Sequence, residues 1–283
     1  MFVKEFLKLT RFEHAVMLAI AVLIGETLVL GHLPDFTLPI LLSLLVPVFS
    51  EMGSFALNDY LDIETDKINK KKNRPLVSGT LSPQFAFNFA WFAIAISIIL
   101  SFFINSFAFA IALVFNLLAI AYNYKLKDLP LVGNIYIGLS MAIPFVFGNF
   151  VVSNELNSIA IILALLGFIS GLAREIVKSV QDVEGDRKAR ESKTLPIIIG
   201  EKPATYVAAL LYLLFVPLTI LPFIIGLKQS LPSILLVGIG DIMVIYIMVS
   251  LVSDQQAKTL KRARNLSLLA LFIGLIGYLA AML

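Results

Sequence analysis

Cysteine is absent from the 283 residues. Disulfides, thiolate catalysis and cysteine-ligated metals go with it. Histidine is nearly absent too, and His14 and His32 are too few for an imidazole-based metal site. Charge is scarce, at 14% of residues, where an ordinary soluble chain carries about 25%. No polar stretch is long enough to fold as a soluble domain of its own. The first apolar run lacks the small-residue cleavage site of a secretory leader, so no cleaved leader is expected. Apolar residues fill the chain instead, at 59% of the total. Runs of about twenty residues with few or no charges recur throughout, and each can cross a bilayer as a helix.

Nine such spans are expected, at 15–33, 38–57, 85–105, 106–124, 131–153, 159–180, 206–227, 231–253 and 266–283. The third and fourth touch, with Asn105-Ser106 as the turn signal between them. One unbroken helix across both would be about twice the length that a bilayer needs. The expected fold is therefore all-α, a polytopic membrane protein with one domain over residues 1–283.

The basic residues orient these spans. Lys4, Lys8 and Arg11 precede the first. Lys67, Lys70, Lys71, Lys72 and Arg74 follow the second, and Lys125 and Lys127 follow the fourth. Arg174, Lys178, Arg187, Lys188, Arg190, Lys193 and Lys202 surround the end of the sixth, and Lys258, Lys261, Arg262 and Arg264 precede the ninth. Of the 22 basic residues, all but Lys228 fall on one side. The positive-inside rule puts that side in the cytoplasm. A multi-pass protein of the cell membrane is expected, with a cytoplasmic N-terminus. Topology accounts for the excess positive charge, so no nucleic-acid partner is expected.

Two acidic clusters interrupt the apolar background on that same side. The first is Asn58-Asp59-Tyr60-Leu61-Asp62-Ile63-Glu64-Thr65-Asp66, and the second is Asp182-Val183-Glu184-Gly185-Asp186. Asn58, Asp62 and Asp66 are spaced i, i+4, i+8 and share one helix face. Asp182 and Asp186 repeat the i, i+4 step, and Lys178 and Arg174 continue that stripe backwards. A single carboxylate at a helix end can simply sit among lipid headgroups. Four acids in two helical registers repel one another unless a cation offsets them. Hard oxygen donors of this kind suit Mg²⁺, which is held by a few carboxylates together with substrate phosphates. Without nitrogen or sulfur ligands, Zn²⁺ is not expected. Lys70, Lys71, Lys72, Lys258, Lys261 and Arg262 read as topology determinants rather than ligands, and Lys71→Ala is expected to matter little.

These residues resemble the UbiA-type intramembrane prenyltransferases. The family's N-D-x-x-D-x-x-x-D motif is matched by Asn58, Asp59, Asp62 and Asp66, followed by Asn73-Arg74-Pro75 and Ser78-Gly79. Its second motif is matched by Asp182, Asp186 and Thr194-Leu195-Pro196. Its Tyr-x-Tyr-x-Leu-Lys signature is matched by Tyr122, Tyr124, Leu126 and Lys127, and Gly133-Asn134 then opens the fifth span. The resemblance implies nine helices around a central cavity. It also implies Asn58, Asp62, Asp182 and Asp186 as ligands of Mg²⁺, two ions bridging a diphosphate, with Asp66 close by. Arg11, Arg74, Tyr122, Lys127, Arg174 and Lys178 are then the expected substrate-binding residues.

The partners implied are a polyprenyl diphosphate donor, a lipid-like phosphate acceptor and the surrounding membrane lipids. Arg174-Glu175-Ile176-Val177-Lys178 and Ala142-Ile143-Pro144-Phe145-Val146-Phe147-Gly148 look most like the family's archaeal ether-lipid branch, although Ser179 stands where relatives commonly carry Asp. Members of that branch add a second geranylgeranyl group to geranylgeranylglyceryl phosphate. An aromatic acceptor such as 4-hydroxybenzoate is the alternative. A cation-coupled transporter is a more distant one, raised by Glu26, Glu51 and Asp241 inside the spans. Glu51 falls two turns before Asn58 on the same face, at the expected cavity border. The similar sequels of the two acidic clusters suggest a duplication of residues 1–124 as 131–252, plus a ninth helix.

Overall fold

Within lipid only a helix or a closed barrel satisfies every backbone donor and acceptor. The apolar runs here fold as helices. The computed structural model describes residues 2–190 and 192–283, without the side chains of residues 189 and 190. Arg190, counted above among the basic residues, therefore has its side chain outside the described residues. The helices in order are α1 (Phe2–Thr10), α2 (Phe12–Leu30), α3 (Leu38–Leu61), α4 (Ile63–Ile68), α5 (Pro83–Phe102), α6 (Ser106–Tyr124), α7 (Val132–Val152), α8 (Ser158–Arg190), α9 (Leu195–Ile199), α10 (Glu201–Leu218), α11 (Leu221–Ile224), α12 (Leu231–Ser253) and α13 (Ala257–Met282). A 3-10 turn, Leu126–Asp128, joins α6 to α7. Among the described residues 9 spans are long and apolar enough to cross a membrane, with α10 and α11 forming one of them.

The junction between the third and fourth spans and the end of the sixth show two different outcomes. The turn between α5 and α6 lies where expected. Asn105 makes it by accepting from the Ala108 amide at 2.8 Å and donating to the Phe150 carbonyl at 2.9 Å. α8, in contrast, was expected to end near residue 180 and continues to Arg190, 33 residues in all. At a rise of about 1.5 Å per residue that is about 50 Å, well beyond the hydrocarbon thickness of about 30 Å. The second acidic cluster is thus the interior of a helix that projects out of the membrane core. α13 likewise begins at Ala257 rather than near residue 266. In both cases charged residues end the apolar run without ending the helix.

α1 was not expected from the sequence. Its apolar side carries Phe2 and Val3, 57% and 67% exposed, as on a helix lying in a membrane interface. Phe6 meets Phe85 and Phe89 of α5 edge to face. The α1–α2 joint is Arg11, in the left-handed region with φ 44°.

α2 and α7 cross at contact distance because both carry glycine there. A Cβ on Gly148 would lie 2.1 Å from the Val22 carbonyl oxygen, and one on Gly25 would lie 2.4 Å from the Phe145 carbonyl oxygen. Small residues permit such close backbone approach in membrane bundles. The outward faces of α10 and α12 carry exposed Leu210, Leu213, Ile242 and Val249, the surface that lipid would cover.

Candidate active site

The first acidic cluster sits at a break in its helix. α3 ends at Leu61 and α4 opens at Ile63, with Asp62 between them at φ −99°, ψ 8°. The register survives the break. The Asp62 amide donates to the Asn58 carbonyl at 2.9 Å, and the Asp66 amide to the Asp62 carbonyl at 2.7 Å. Asn58, Asp62 and Asp66 therefore keep the shared face that the spacing implied. Asp182 and Asp186 share a face of the continuous α8.

The two clusters meet across a lysine. The Lys71 ammonium lies 3.3 Å from Asp66 and 2.8 Å from Asp182. Burial works against that charge, but the two carboxylates outweigh it and hold the Lys71 pKa above the ordinary lysine value. Burial pushes Asp66 up, with Lys71 pulling it the other way. This corrects the sequence reading of Lys71 as a topology determinant only. Its ammonium stands between the two motifs, and sequence spacing could not show that because residues 69–82 form a loop that folds back over the helix ends.

Other cations pair with the remaining acids. Lys127 contacts Asp62 at 2.6 Å, and Asn58 donates to the other Asp62 oxygen at 3.0 Å and to Asn123 at 3.1 Å. Asp59, 1% exposed, is gripped by Arg11 at 2.9 Å and by Arg74. Arg74 also reaches Asp66 at 3.3 Å. Asp59 thus ties the N-terminal joint to the loop over the site. Arg11 further lies 4.0 Å over the Phe55 ring, a cation–π contact. Lys178 pairs with Glu175 at 2.8 Å, and the Tyr122 hydroxyl donates to Glu175 at 3.3 Å. Asp186 is buried farther along α8, with its backbone carbonyl accepting from the Ser192 amide.

All this surrounds a cavity of about 1060 Å³. Asn58, Asp182, Arg11, Arg74, Tyr122, Arg174 and Lys178 line it. Asp62, Asp66 and Lys127 stand immediately behind these. Glu51 borders the cavity, as its position two turns before Asn58 suggested. Glu26 does not, and Asp241 lines only the deep apolar pocket between α8, α12 and α13. Glu26 is buried against the Ser43 hydroxyl, and Asp241 accepts from Thr219 at 2.9 Å.

Toward the membrane interior the cavity forks. One apolar branch runs between α2, α7, α8, α12 and α13 and shares Met17, Leu18 and Met141 with the cavity. The other runs between α2, α3, α6 and α7 and shares Leu18, Glu51, Ser54, Tyr136 and Ser140 with it.

Residues that the sequence did not single out complete the site. Asn69 accepts from the Gly185 amide at 2.9 Å and reaches the Asp182 carbonyl at 3.5 Å, fastening the loop to α8. A Cβ on Gly185 would lie 2.3 Å from the Asn69 side chain. Gly185→Ala is therefore expected to displace Asn69, free the loop that carries Lys71 and Arg74, and speed proteolysis between residues 69 and 82. An unchanged cleavage rate would show that the loop is held by other contacts.

In donor chemistry the site fits a hard divalent cation. Every acidic or amide group offers oxygen, and ammonium groups already lie against these oxygens. Among the described residues no three acidic side chains converge on one point. The Lys71 ammonium lies between the carboxylates of the two clusters.

The sequence model of the UbiA prenyltransferase family matches residues 18–276. A digeranylgeranylglyceryl phosphate synthase of Archaeoglobus fulgidus is 36% identical over 285 aligned positions, covering 99% of this chain and 95% of that protein. A solved structure concerned with digeranylgeranylglyceryl phosphate synthase in membranes superposes with a TM-score of 0.73 at 31% identity, covering 99% of this chain and 98% of that one. A UbiA homologue from Archaeoglobus fulgidus bound to GPP and Mg²⁺ shares the fold, with a TM-score of 0.64 at 20% identity over 97% of this chain and 99% of that one.

Proposed function

This chain belongs to the UbiA prenyltransferase family, and from that premise we infer that it transfers a geranylgeranyl group from geranylgeranyl diphosphate to geranylgeranylglyceryl phosphate, a step of archaeal ether-lipid synthesis. One observation carries the reading above the others. Relatives named for this product match 99% of the chain at 36% and 35% identity.

The residues account for the chemistry. Asn58, Asp62, Asp66, Asp182 and Asp186 supply oxygen donors that would hold Mg²⁺. When bound, Mg²⁺ neutralises the diphosphate and stabilises the charge that develops on it as the allylic C–O bond breaks. Arg74 and Lys127 add fixed positive charge at the same place. The apolar branches keep water from the carbocation-like carbon, and the acceptor hydroxyl captures that carbon. The hydroxyl proton is lost as the ether bond forms, to the departing diphosphate or a nearby carboxylate. The cavity mouth lies at the end of the bundle that carries nearly all the basic residues, which supports a cytoplasmic opening in the cell membrane.

Product analysis tests the reading. Detergent-purified protein with Mg²⁺ and geranylgeranyl diphosphate should put a second chain on geranylgeranylglyceryl phosphate, and should leave 4-hydroxybenzoate unprenylated in a parallel reaction. Prenylated benzoate alone would move the protein to the aromatic-acceptor branch.

Lys71 gives a second check. Lys71→Met removes the ammonium that lies between Asp66 and Asp182 and leaves Arg74 as the cation nearest Asp66, so Mg²⁺ should raise the Tm of this variant more than that of the parent. An equal rise would mean that the lysine does not occupy ground the metal needs.

A further inference from the structure

Most cations of the cavity are matched by an acid. Arg11 and Arg74 hold Asp59, Lys71 holds Asp66 and Asp182, Lys127 holds Asp62, and Lys178 holds Glu175. Apart from Lys70, Arg187 and Lys261, which are exposed to solvent at the rim, two arginines break the pattern. Arg174 on α8 and Arg264 on α13 both line the cavity, and neither side chain has a hydrogen bond or ion pair among the described residues. The Arg174 Nε is fully enclosed and has no acceptor. The positive fields of Arg264 and Arg11 reach Arg174, and those of Arg174, Arg264 and Lys178 reach His14. Glu51 lies within the field of Arg174 without contacting it, and Glu175 is committed to Lys178 and Tyr122. Guanidinium groups left together without acceptors in a membrane-embedded cavity are costly, and such charges mark a site for an anion.

The position of the pair says which anion. The carboxylates proposed to hold Mg²⁺ for the diphosphate are gathered on the Lys71 side, near α4 and the loop. Arg174 and Arg264 instead head the apolar branch between α8 and α13. Below Arg174 on α8 come Ser170 and Gly167, and below Arg264 on α13 come Leu268 and then Leu271, which together lead into that branch. A cationic fork above an apolar groove matches a lipid with an anionic head.

Resting on the function proposed above, we propose that Arg174 and Arg264 clamp the phosphate of the acceptor lipid, whose own chain lies in the α8–α13 branch. The donor chain takes the α3–α6 branch beneath Asn58. The arginine fork offers paired donors to phosphate oxygens, so the clamp selects a phosphorylated acceptor and positions its hydroxyl without taking part in diphosphate departure.

Steady-state kinetics on the full-length protein test this, with the concentrations of the two substrates varied separately. Arg264→Gln should raise the KM for geranylgeranylglyceryl phosphate by about 10- to 100-fold, the worth of a charge-assisted hydrogen bond, while the KM for geranylgeranyl diphosphate stays put. Its preference for that acceptor over geranylgeranylglycerol, which lacks the phosphate, should fall by a similar factor. Arg264→Lys should recover part of both. Arg174→Gln should behave alike, and if it does not fold, the Arg264 variants carry the test alone. An unchanged acceptor KM, or a donor KM that rises equally, overturns the clamp even though the wild type makes the two-chain product. No such product from the wild type overturns the function on which the clamp rests.

Discussion

Asp182→Ala is expected to lose prenyl transfer by at least about 100-fold in kcat, with little change in thermal stability. The scale is that of removing one fixed group that stabilises developing charge. Asp182 is one of the oxygen donors proposed to hold Mg²⁺, and it faces Asp66 across the Lys71 ammonium. The fold should survive because Lys71 keeps Asp66 as a partner after Asp182 is gone. That makes Asp182 a cleaner probe than Asp62, whose removal takes a 2.6 Å contact from Lys127, a side chain only 7% exposed. The measurements are initial rate at saturating Mg²⁺ and Tm in detergent. A variant with near-normal turnover would sink the cation-binding role of the two clusters. A variant that fails to fold would show that the pair holds the structure together rather than the substrate.

Gly148→Ala is expected to be the most damaging single methyl group in the bundle. Its Cβ would lie 2.1 Å from the Val22 carbonyl oxygen, with the Val22 carbonyl carbon and Cα close behind at 2.9 and 3.0 Å. Those are backbone atoms, so no rotamer change relieves the overlap, and α2 must move away from α7. Overpacking usually costs about 1–3 kcal/mol when side chains can yield. Here the loss should exceed that, and the Tm in detergent should fall accordingly. Gly238 on α12 is the matched control, since nothing lies within 4 Å of a Cβ there. Gly238→Ala should hold or gain up to about 1 kcal/mol, the difference in helix propensity between the two residues. Equal stability of the two variants would mean that the α2–α7 contact yields to a methyl group.

The two variants bear on different kinds of information, and the sequence held them unequally. Spans are legible because lipid imposes length and polarity on each helix separately. α6 and α12 begin and end where their apolar runs do, whereas α8 and α13 outrun theirs into polar surroundings. Asn58, Asp62 and Asp182 were legible because helical spacing and the family motifs each select them. Arg264 had no such signal. It sits in a basic cluster, Lys261-Arg262-Ala263-Arg264, that topology explains equally well, and only folding turns Arg264 to the cavity and Arg262 toward Tyr246. Lys71 was misread for the same reason, being one of three successive lysines of which the fold selects one. Asp59 belonged to a recognised motif. Its work, holding Arg11 from 48 residues earlier and Arg74 from the loop that follows, is a property of pairing that spacing along the chain does not encode.

The fork in the cavity has a consequence for how the reaction ends. The branches part on either side of α2 and α7, at the seam that Gly25 and Gly148 draw shut. Under the placement proposed above, two separate molecules enter one leg each, and the ether bond that joins them would leave a single molecule astride that seam, with its head at the mouth and a leg down each flank. It cannot slip sideways out of either branch without dragging the other leg over the crossing. It has to dismount upward, both legs withdrawing together toward the headgroups, and the closeness of two helices becomes a rule about the direction of exit.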